Sequence, residues 1–232
     1  MTQRAYPSQL FGCKTWVGGV ALALSCTAGA SGLYETGPAQ DSSFVRFVNG
    51  TEAAVVVSNS KTKGKLELGT QGAARVSPFL PIRAGAKMAA SIAVKNQKFD
   101  LEVVAKPGEF ITVATVPNGA GGWTGVQMRE TPNSFSATRA SIAVFNFNPA
   151  CPSAQVDSAG KADGIFKNAT SKAVQRRLVS PVKATVQVSC AGKASGTPLD
   201  FGLLEPGERY SVFVLPTQAG GLVLKDGIET GQ

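Results

Sequence analysis

Alternation of apolar and polar residues is the dominant pattern along this chain. In the segment PVKATVQVSC, apolar residues share one face from Val182 to Cys190, while Lys183, Thr185 and Gln187 lie on the other. A period of two is typical of a half-buried β-strand. Comparable runs are Phe44–Val48, Ala53–Ser58, Met88–Val94, Phe99–Val104 and Ser141–Phe147. They are short, rich in β-branched residues and bounded by turn residues, which favours antiparallel β-sandwiches.

Helical patterns are scarce. The best candidate is KNATSKAVQRRL at Lys167–Leu178, which begins with an asparagine suited to a helix start. A loop is an equally good interpretation of the segment.

One long motif occurs twice. Pro107–Gly122 reads PGEFITVATVPNGAGG, and Pro206–Gly221, 99 positions later, reads PGERYSVFVLPTQAGG, with eight of sixteen positions identical. A second similarity pairs SFVRF at Ser43–Phe47 with SIAVF at Ser141–Phe145, 98 positions apart. A repeat of about a hundred residues has the size of one domain. We therefore expect an all-β fold with two tandem β-sandwich domains that arose by internal duplication.

The expected domains are residues 31–131 and 132–232, with a short linker near Thr131–Ala137. Each Pro-Gly-Glu should form a turn into a late strand, since proline presets φ and glycine tolerates positive φ. The Ala-Gly-Gly that follows should form the turn out of that strand. Glu109 and Glu208 are equivalent turn residues on this interpretation, rather than a pair of catalytic carboxylates.

Residues 1–30 have the features of a signal peptide. Arg4 and Lys14 provide a basic start, Trp16–Leu24 is apolar but too short to span a bilayer, and Ala28–Ala30 offers an A-x-A cleavage site. Cys26 leaves lipidation open as an alternative. We expect export to the periplasm and no transmembrane span, because no later apolar run approaches the necessary length.

Removal of that segment would leave two cysteines and a moderately basic chain. Cys151 and Cys190 should form a disulfide in an exported protein. The net charge would fall from +8 to +6, because two cations leave with the segment. The densest basic patch contains Lys172, Arg176 and Arg177, which could contact an anionic partner or form a solvated face. No nucleic-acid-binding motif is present, so nucleic acid is not an expected partner.

The chain contains no histidine, which removes the commonest general base at neutral pH. No nucleophile or nucleotide motif replaces it, so we expect no catalytic residue, no metal and no cofactor. A glycosidase with two carboxylates remains open. Trp123, the single tryptophan outside the signal segment, could stack on a sugar ring or fill the core.

The segment LYETGPAQDSSFVRFVNGTE at Leu33–Glu52 resembles the start of the periplasmic alginate O-acetylation protein AlgF family, which includes relatives in cellulose-acetylating operons. The matching residues are Leu33, Tyr34, Pro38, Phe44, Val45, Arg46 and Asn49. SPVK at Ser180–Lys183 and LEPGERYSVFVL at Leu204–Leu215 also resemble the second half of that family.

This resemblance implies a non-catalytic periplasmic adaptor for O-acetylation of an exopolysaccharide such as alginate or cellulose. Its partners would be the periplasmic O-acetyltransferase proteins, with the polysaccharide as a further candidate. Two repeated domains could hold two partners together and raise their effective concentration. Arg46 is then a candidate partner contact, although a structural strand residue is an equal alternative. The rival functions are a free-standing carbohydrate-binding module and a sandwich that acts by strand addition.

Overall fold

The computed structural model describes residues 42–59, 64–132 and 135–229. The signal peptide, Cys26 and the motif residues Leu33, Tyr34 and Pro38 lie outside them. The first half contains β1 (Ser42–Asn49), β2 (Val55–Asn59), β3 (Lys65–Leu68), β4 (Leu80–Arg83), β5 (Lys87–Val94), β6 (Gln97–Val104), β7 (Phe110–Pro117) and β8 (Trp123–Glu130). The second half contains β9 (Ala140–Asn146), β10 (Ala154–Ser158), β11 (Phe166–Ala169), β12 (Gln175–Val179), β13 (Lys183–Cys190), β14 (Lys193–Ala194), β15 (Leu199–Leu203), β16 (Arg209–Leu215) and β17 (Gln218–Lys225). A 3-10 turn at Gly72–Arg75 precedes β4. The chain is therefore all-β, as its alternation predicts.

The two halves have the same topology. Their inner sheets follow the orders β4-β1-β7-β8 and β12-β9-β16-β17, and their outer sheets the orders β3-β2-β5-β6 and β11-β10-β13 with β14 and β15 on the far side of β13. In each half the Pro-Gly-Glu strand, β7 or β16, pairs in parallel with the first strand and antiparallel with the last. The two strands thus occupy equivalent places, which confirms the structural equivalence predicted from the repeat.

The upstream part of the repeat is aligned differently from the sequence prediction. The amide of Phe44 donates to the Glu109 carbonyl, and the amide of Ser141 donates to the Glu208 carbonyl. Phe44 therefore corresponds to Ser141, an offset of 97 rather than 98. The difference is substantial, because a slip of one residue moves every side chain of a strand to the opposite face.

The correct alignment pairs Asn49 with Asn146, and both side chains have the same role. Asn49 Nδ2 donates to the carbonyls of Ala53 and Gly69, and Asn146 Nδ2 donates to those of Cys151 and Ala169. Each asparagine ties the end of the first strand to the loops of its own sandwich. Asn49, which belongs to the family-like motif, is thus a structural residue.

Four sheets are stacked, and three apolar cores lie between them. One core lies within each sandwich. The third joins residues of both inner sheets, including Val48, Ala114, Phe145 and Phe213. Strands β7 and β9 are consequently buried on both faces. A large apolar interface of this kind holds two domains in one arrangement.

The end of the chain returns to the first half. The Phe79 amide donates to the Gly227 carbonyl, and the Glu229 amide donates to the Phe79 carbonyl, which forms a parallel bridge between Phe79 and Ile228. Residues after β17 therefore pack on the first sandwich. This crossing refines the expected division at residue 132, which assigned the whole C-terminal part to the second domain.

The Pro-Gly-Glu turns have the predicted conformation, with Gly108 at φ 72° and Gly207 at φ 80°. The Ala-Gly-Gly segments differ between the copies. In the first it lies in the turn between β7 and β8, whereas in the second it lies inside β17, where the register with β16 shifts. Gly221, at φ 90°, belongs to this bulge. The prediction of a turn is therefore wrong for the second copy.

Gly221→Ala should destabilise the protein by about 3 kcal/mol. An added Cβ would overlap the Phe213 carbonyl oxygen, and the residue has positive φ. Gly119 is the matched control, because its φ is +79° but no atom lies within 4 Å of its added Cβ. Gly119→Ala should change the free energy of unfolding by about 1 kcal/mol, from backbone strain alone. Equal effects in urea unfolding would show that the close contact at Gly221 is not important.

The helix considered at Lys167–Leu178 is absent, and the segment contains β11, a turn and β12. Asn168 has φ 55°, which interrupts a right-handed helix. Gln175–Val179 instead pairs along β9 at the edge of the inner sheet. Pairing across the sheet determines the structure here in preference to local propensity.

Cys151 and Cys190 are bonded, with their Cα atoms 5.4 Å apart. Cys151 lies in the loop after β9, and Cys190 ends β13. The disulfide therefore links the β9–β10 loop to the end of β13 within the second sandwich, as the sequence predicts.

Candidate functional site: the charged interface between the sandwiches

Arg46 projects from β1 into the interface between the inner sheets, where its side chain is 1 % exposed. Its Nη1 lies 2.7 Å from Asp226 Oδ1, its Nη2 donates to Ser211 Oγ at 2.9 Å, and its Nε donates to Thr112 Oγ1 at 2.9 Å. The guanidinium also faces the rings of three phenylalanines at 4.3 to 4.7 Å, which are Phe79, Phe145 and Phe213. These contacts satisfy a buried cation.

This position corrects the expectation that Arg46 contacts a partner. Its donors are directed toward residues of its own chain, and burial leaves it no accessible surface. Arg46 is instead a structural strand residue, because it joins β1 of the first sandwich to Asp226 and Ser211 of the second.

The same ion network extends to Glu130, because Arg176 lies 3.5 Å from Asp226 and also pairs with Glu130. Its Oε1 accepts from Arg209 Nη2 at 2.8 Å, and its Oε2 accepts from Arg176 Nε at 2.8 Å. In the first half, Glu130 of β8 pairs with Phe110 of β7. In the second half, the Asp226 amide donates to the carbonyl of Arg209, which is the counterpart of Phe110. Glu130 and Asp226 are therefore equivalent positions of the repeat. Each acid binds an arginine of the other half, so the ion pairs are reciprocal.

The pKa of Asp226 lies below its ordinary value. Burial alone would raise this pKa, but the charge of Arg46, the Ser211 hydroxyl and the charge of Arg176 together outweigh burial. Burial lowers the pKa of Arg46, yet a guanidinium stays protonated in proteins. The pair is thus ionised in the folded protein.

Acid should weaken the folded state through Asp226. A carboxyl with a depressed folded pKa stabilises the protein above its unfolded pKa, near 3.9, and this contribution is lost as the pH falls through the folded value. The free energy of unfolding of the wild type should therefore fall below about pH 4 more steeply than that of Asp226→Asn. Glu67→Gln, at an exposed position on β3, is the control and should keep the wild-type slope. Identical slopes for the wild type and Asp226→Asn would contradict this assignment.

The basic patch predicted from the sequence is divided by the structure. Strand β12 alternates, so Arg176 turns into the interface, 14 % exposed, while Arg177 and Lys172 remain exposed. Arg177 lies over the Phe166 ring at 5.9 Å. Lys172 and Arg177 stay available to an anionic partner, whereas Arg176 is bound to Glu130.

Trp123 begins β8 and is half-buried against the core of the first sandwich. This placement matches the core-filling alternative, and part of the indole remains accessible to solvent. The proposed contact with a sugar stays a prediction.

The glutamates of the two Pro-Gly-Glu turns have local roles. Glu109 Oε2 accepts from the Lys106 amide and from Arg129, which closes the first turn. Glu208 Oε1 lies 3.2 Å from Lys225 Nζ. Each carboxylate therefore pairs with a cation of the last strand of its own half, β8 or β17.

Glu130 and Asp226 are the important residues that sequence reasoning missed. Glu130 is the final residue of β8, and Asp226 directly follows β17. An acidic residue at the end of a strand is usually a surface residue, so the sequence gives no sign that these two are buried. Only the reciprocal packing of the two copies shows that these acids are enclosed.

Among the residues that the structure describes, no helix has the length and apolar character needed to cross a membrane. Within those same ranges, no group of three or more histidine, cysteine, aspartate or glutamate side chains is placed to hold a metal ion.

Comparison with known proteins identifies no family. No family description matches the chain, and no curated protein matches it. Among solved structures, the Bacillus anthracis TIE protein aligns with 12 % identity and a TM-score of 0.24 over 75 % of this chain and 34 % of its own. A putative cell adhesion protein from Bacteroides ovatus aligns with 9 % identity and a TM-score of 0.23, over 82 % and 98 % of the two chains. Likenesses this weak carry no argument about function.

Proposed function

We propose that this protein is a non-catalytic periplasmic adaptor in the O-acetylation of an exopolysaccharide, where it holds acetyltransferase components together. The observation that carries the proposal is the four-layer stack, in which the inner sheets of two equivalent sandwiches are joined by an apolar core and reciprocal ion pairs. A stack of this kind keeps two outer sheets on opposite sides at a fixed separation.

The resemblance of the N-terminal motif to the alginate O-acetylation family supplies the pathway. Within the described part of that motif, Arg46 and Asn49 maintain the stack and the first strand. The matching residues are thus ones that an adaptor of this architecture needs for its shape. The proposal requires export of the protein, and the support for export is the signal-like sequence of residues 1–30.

Lys172 and Arg177 are the proposed contacts to an anionic partner. Both are exposed on the second sandwich, and among the described residues no carboxylate lies within 4 Å of either cation. Attraction between exposed charges is screened by salt, so binding through these residues should weaken as ionic strength rises.

The exported protein should co-purify with periplasmic acetyltransferase components at low salt. Lys172→Glu combined with Arg177→Glu should reduce that recovery several-fold, because two attractions become repulsions. Lys98→Glu, an exposed reversal on β6 of the first sandwich, is the matched control and should leave recovery unchanged. Equal recovery of the double variant and the wild type would exclude this surface.

The carbohydrate-binding alternative predicts a different result. The isolated protein would bind the polymer directly, and Trp123→Ala would remove that binding while the acetyltransferase contact remained. We expect no polymer binding that depends on Trp123.

A further inference from the structure

The second sandwich contains a cavity that is larger than the equivalent space in the first sandwich. The cavity has a volume of about 470 Å³ and opens between the inner and outer sheets beside β12 and β13. At the equivalent place in the first half, beside β4 and β5, the space is about 250 Å³, and a neighbouring space lined by Leu80 and Ala90 is about 350 Å³. Pockets that bind small molecules begin near 300 Å³.

One substitution between the repeats lies at the centre of this difference. Lys87 and Met88 pair with Val104 and Val103 in the first half, and Lys183 and Ala184 pair with Leu203 and Gly202 in the second. Val104 and Leu203 stand at the same distance before their Pro-Gly-Glu turns, so Met88 and Ala184 are equivalent. Both pack against their own cores. Met88 borders both of the smaller spaces in the first half, whereas Ala184 borders the one larger cavity in the second.

The cavity is apolar inside, and its mouth carries lysines together with two carboxylates that are already bonded to lining residues. Asp163 accepts from the Ser158 hydroxyl, and Asp200 accepts from the Thr185 hydroxyl. Its floor reaches the buried core residues Ile142, Val186 and Leu204. Lys161 and Lys183 are exposed at its rim. Among the described residues no carboxylate lies within 4 Å of either ammonium group. Val182, 54 % exposed, extends the apolar wall to the surface.

We propose that this cavity binds an aliphatic carboxylate, with the hydrocarbon chain between the sheets and the carboxylate between Lys161 and Lys183. The apolar walls favour the chain because burial removes its surface from water. The two ammonium groups select an anionic head over a neutral or cationic one. This inference does not depend on the proposed adaptor role, since the cavity lies within one sandwich.

Decanoate below its micelle concentration tests the proposal by calorimetry and by chemical-shift changes in the purified protein. Ala184→Met should weaken binding about tenfold or more, because the larger side chain takes up part of the cavity volume. Methionine is the residue that the first sandwich has at this position, so the substitution should be compatible with the fold. The variant should unfold at the wild-type denaturant concentration. Lys161→Gln and Lys183→Gln should each weaken binding roughly fivefold.

A cationic amphiphile of equal length separates head-group selection from simple adsorption. Decyltrimethylammonium should bind much more weakly than decanoate if the lysines select the head. Equal binding of both head groups, no binding of decanoate, or unchanged affinity in a folded Ala184→Met variant would each overturn the proposal. Acetylation of the polymer tests the adaptor role separately and is independent of these outcomes.

Discussion

Replacement of Arg46 by alanine is expected to lower the free energy of unfolding by about 4 kcal/mol, because it leaves a buried carboxylate without its partner. The substitution leaves Asp226, 2 % exposed, without its closest cation. It also removes three hydrogen bonds and opens the space between three phenylalanine rings. Urea unfolding of the wild type and the variant measures the difference.

Two further variants separate the buried pair from general charge loss. Lys87→Ala breaks an ion pair with Glu102 whose side chains are 61 % and 59 % exposed, and it should change stability by less than about 1 kcal/mol. Arg46→Met combined with Asp226→Asn removes both charges, so the double variant should be less destabilised than the sum of the single ones. A loss below about 1 kcal/mol in Arg46→Ala would show that the pair does not hold the sandwiches together.

Loss of the disulfide is expected to have a comparable effect. Cys151 and Cys190 are separated by 39 residues, and the chain-entropy estimate for a loop of that length is roughly 4 kcal/mol. Cys151→Ala with Cys190→Ala should therefore unfold at a markedly lower urea concentration than the oxidised protein. Cys151 is also buried in the core of the second sandwich, so the alanine adds a loss of packing.

Reduction with dithiothreitol provides the matched comparison, because it breaks the bond without changing the side chains. The reduced wild type should lose most of the stability that the double alanine variant loses. Hydrogen exchange should speed up chiefly in β10 and β13, which flank the bond. If the protein kept free of reductant had two thiols that react with an alkylating agent, the assigned Cys151–Cys190 disulfide would be wrong.

The strands and the duplication could be predicted from the sequence because they depend on local patterns. Alternation located β1, β5, β6 and β13 closely, and the repeated motif identified β7 and β16 as equivalent strands. The segment Lys167–Leu178 was ambiguous, since short polar strands at a sheet edge have weak periodicity. Its structure depends on pairing with β9, which is distant in sequence.

The stacking of the two sandwiches could not be derived in the same way. Strands β7 and β9 are apolar on both faces, a pattern that indicates full burial but does not identify what covers each face. Arg46 looks like an exposed cation in a strand until the second copy is placed against it. The residues of the interface are therefore defined by contacts between repeats, which no single segment of sequence specifies.

The acetyl content of the exopolysaccharide from a strain lacking this gene, measured by NMR of the purified polymer, tests the central claim most directly. The adaptor account predicts that acetylation falls sharply and that wild-type protein supplied to the periplasm restores it. It also predicts that Lys172→Glu with Arg177→Glu restores it less well than Lys98→Glu. Unchanged acetyl content in the deletion strain would contradict the proposed function.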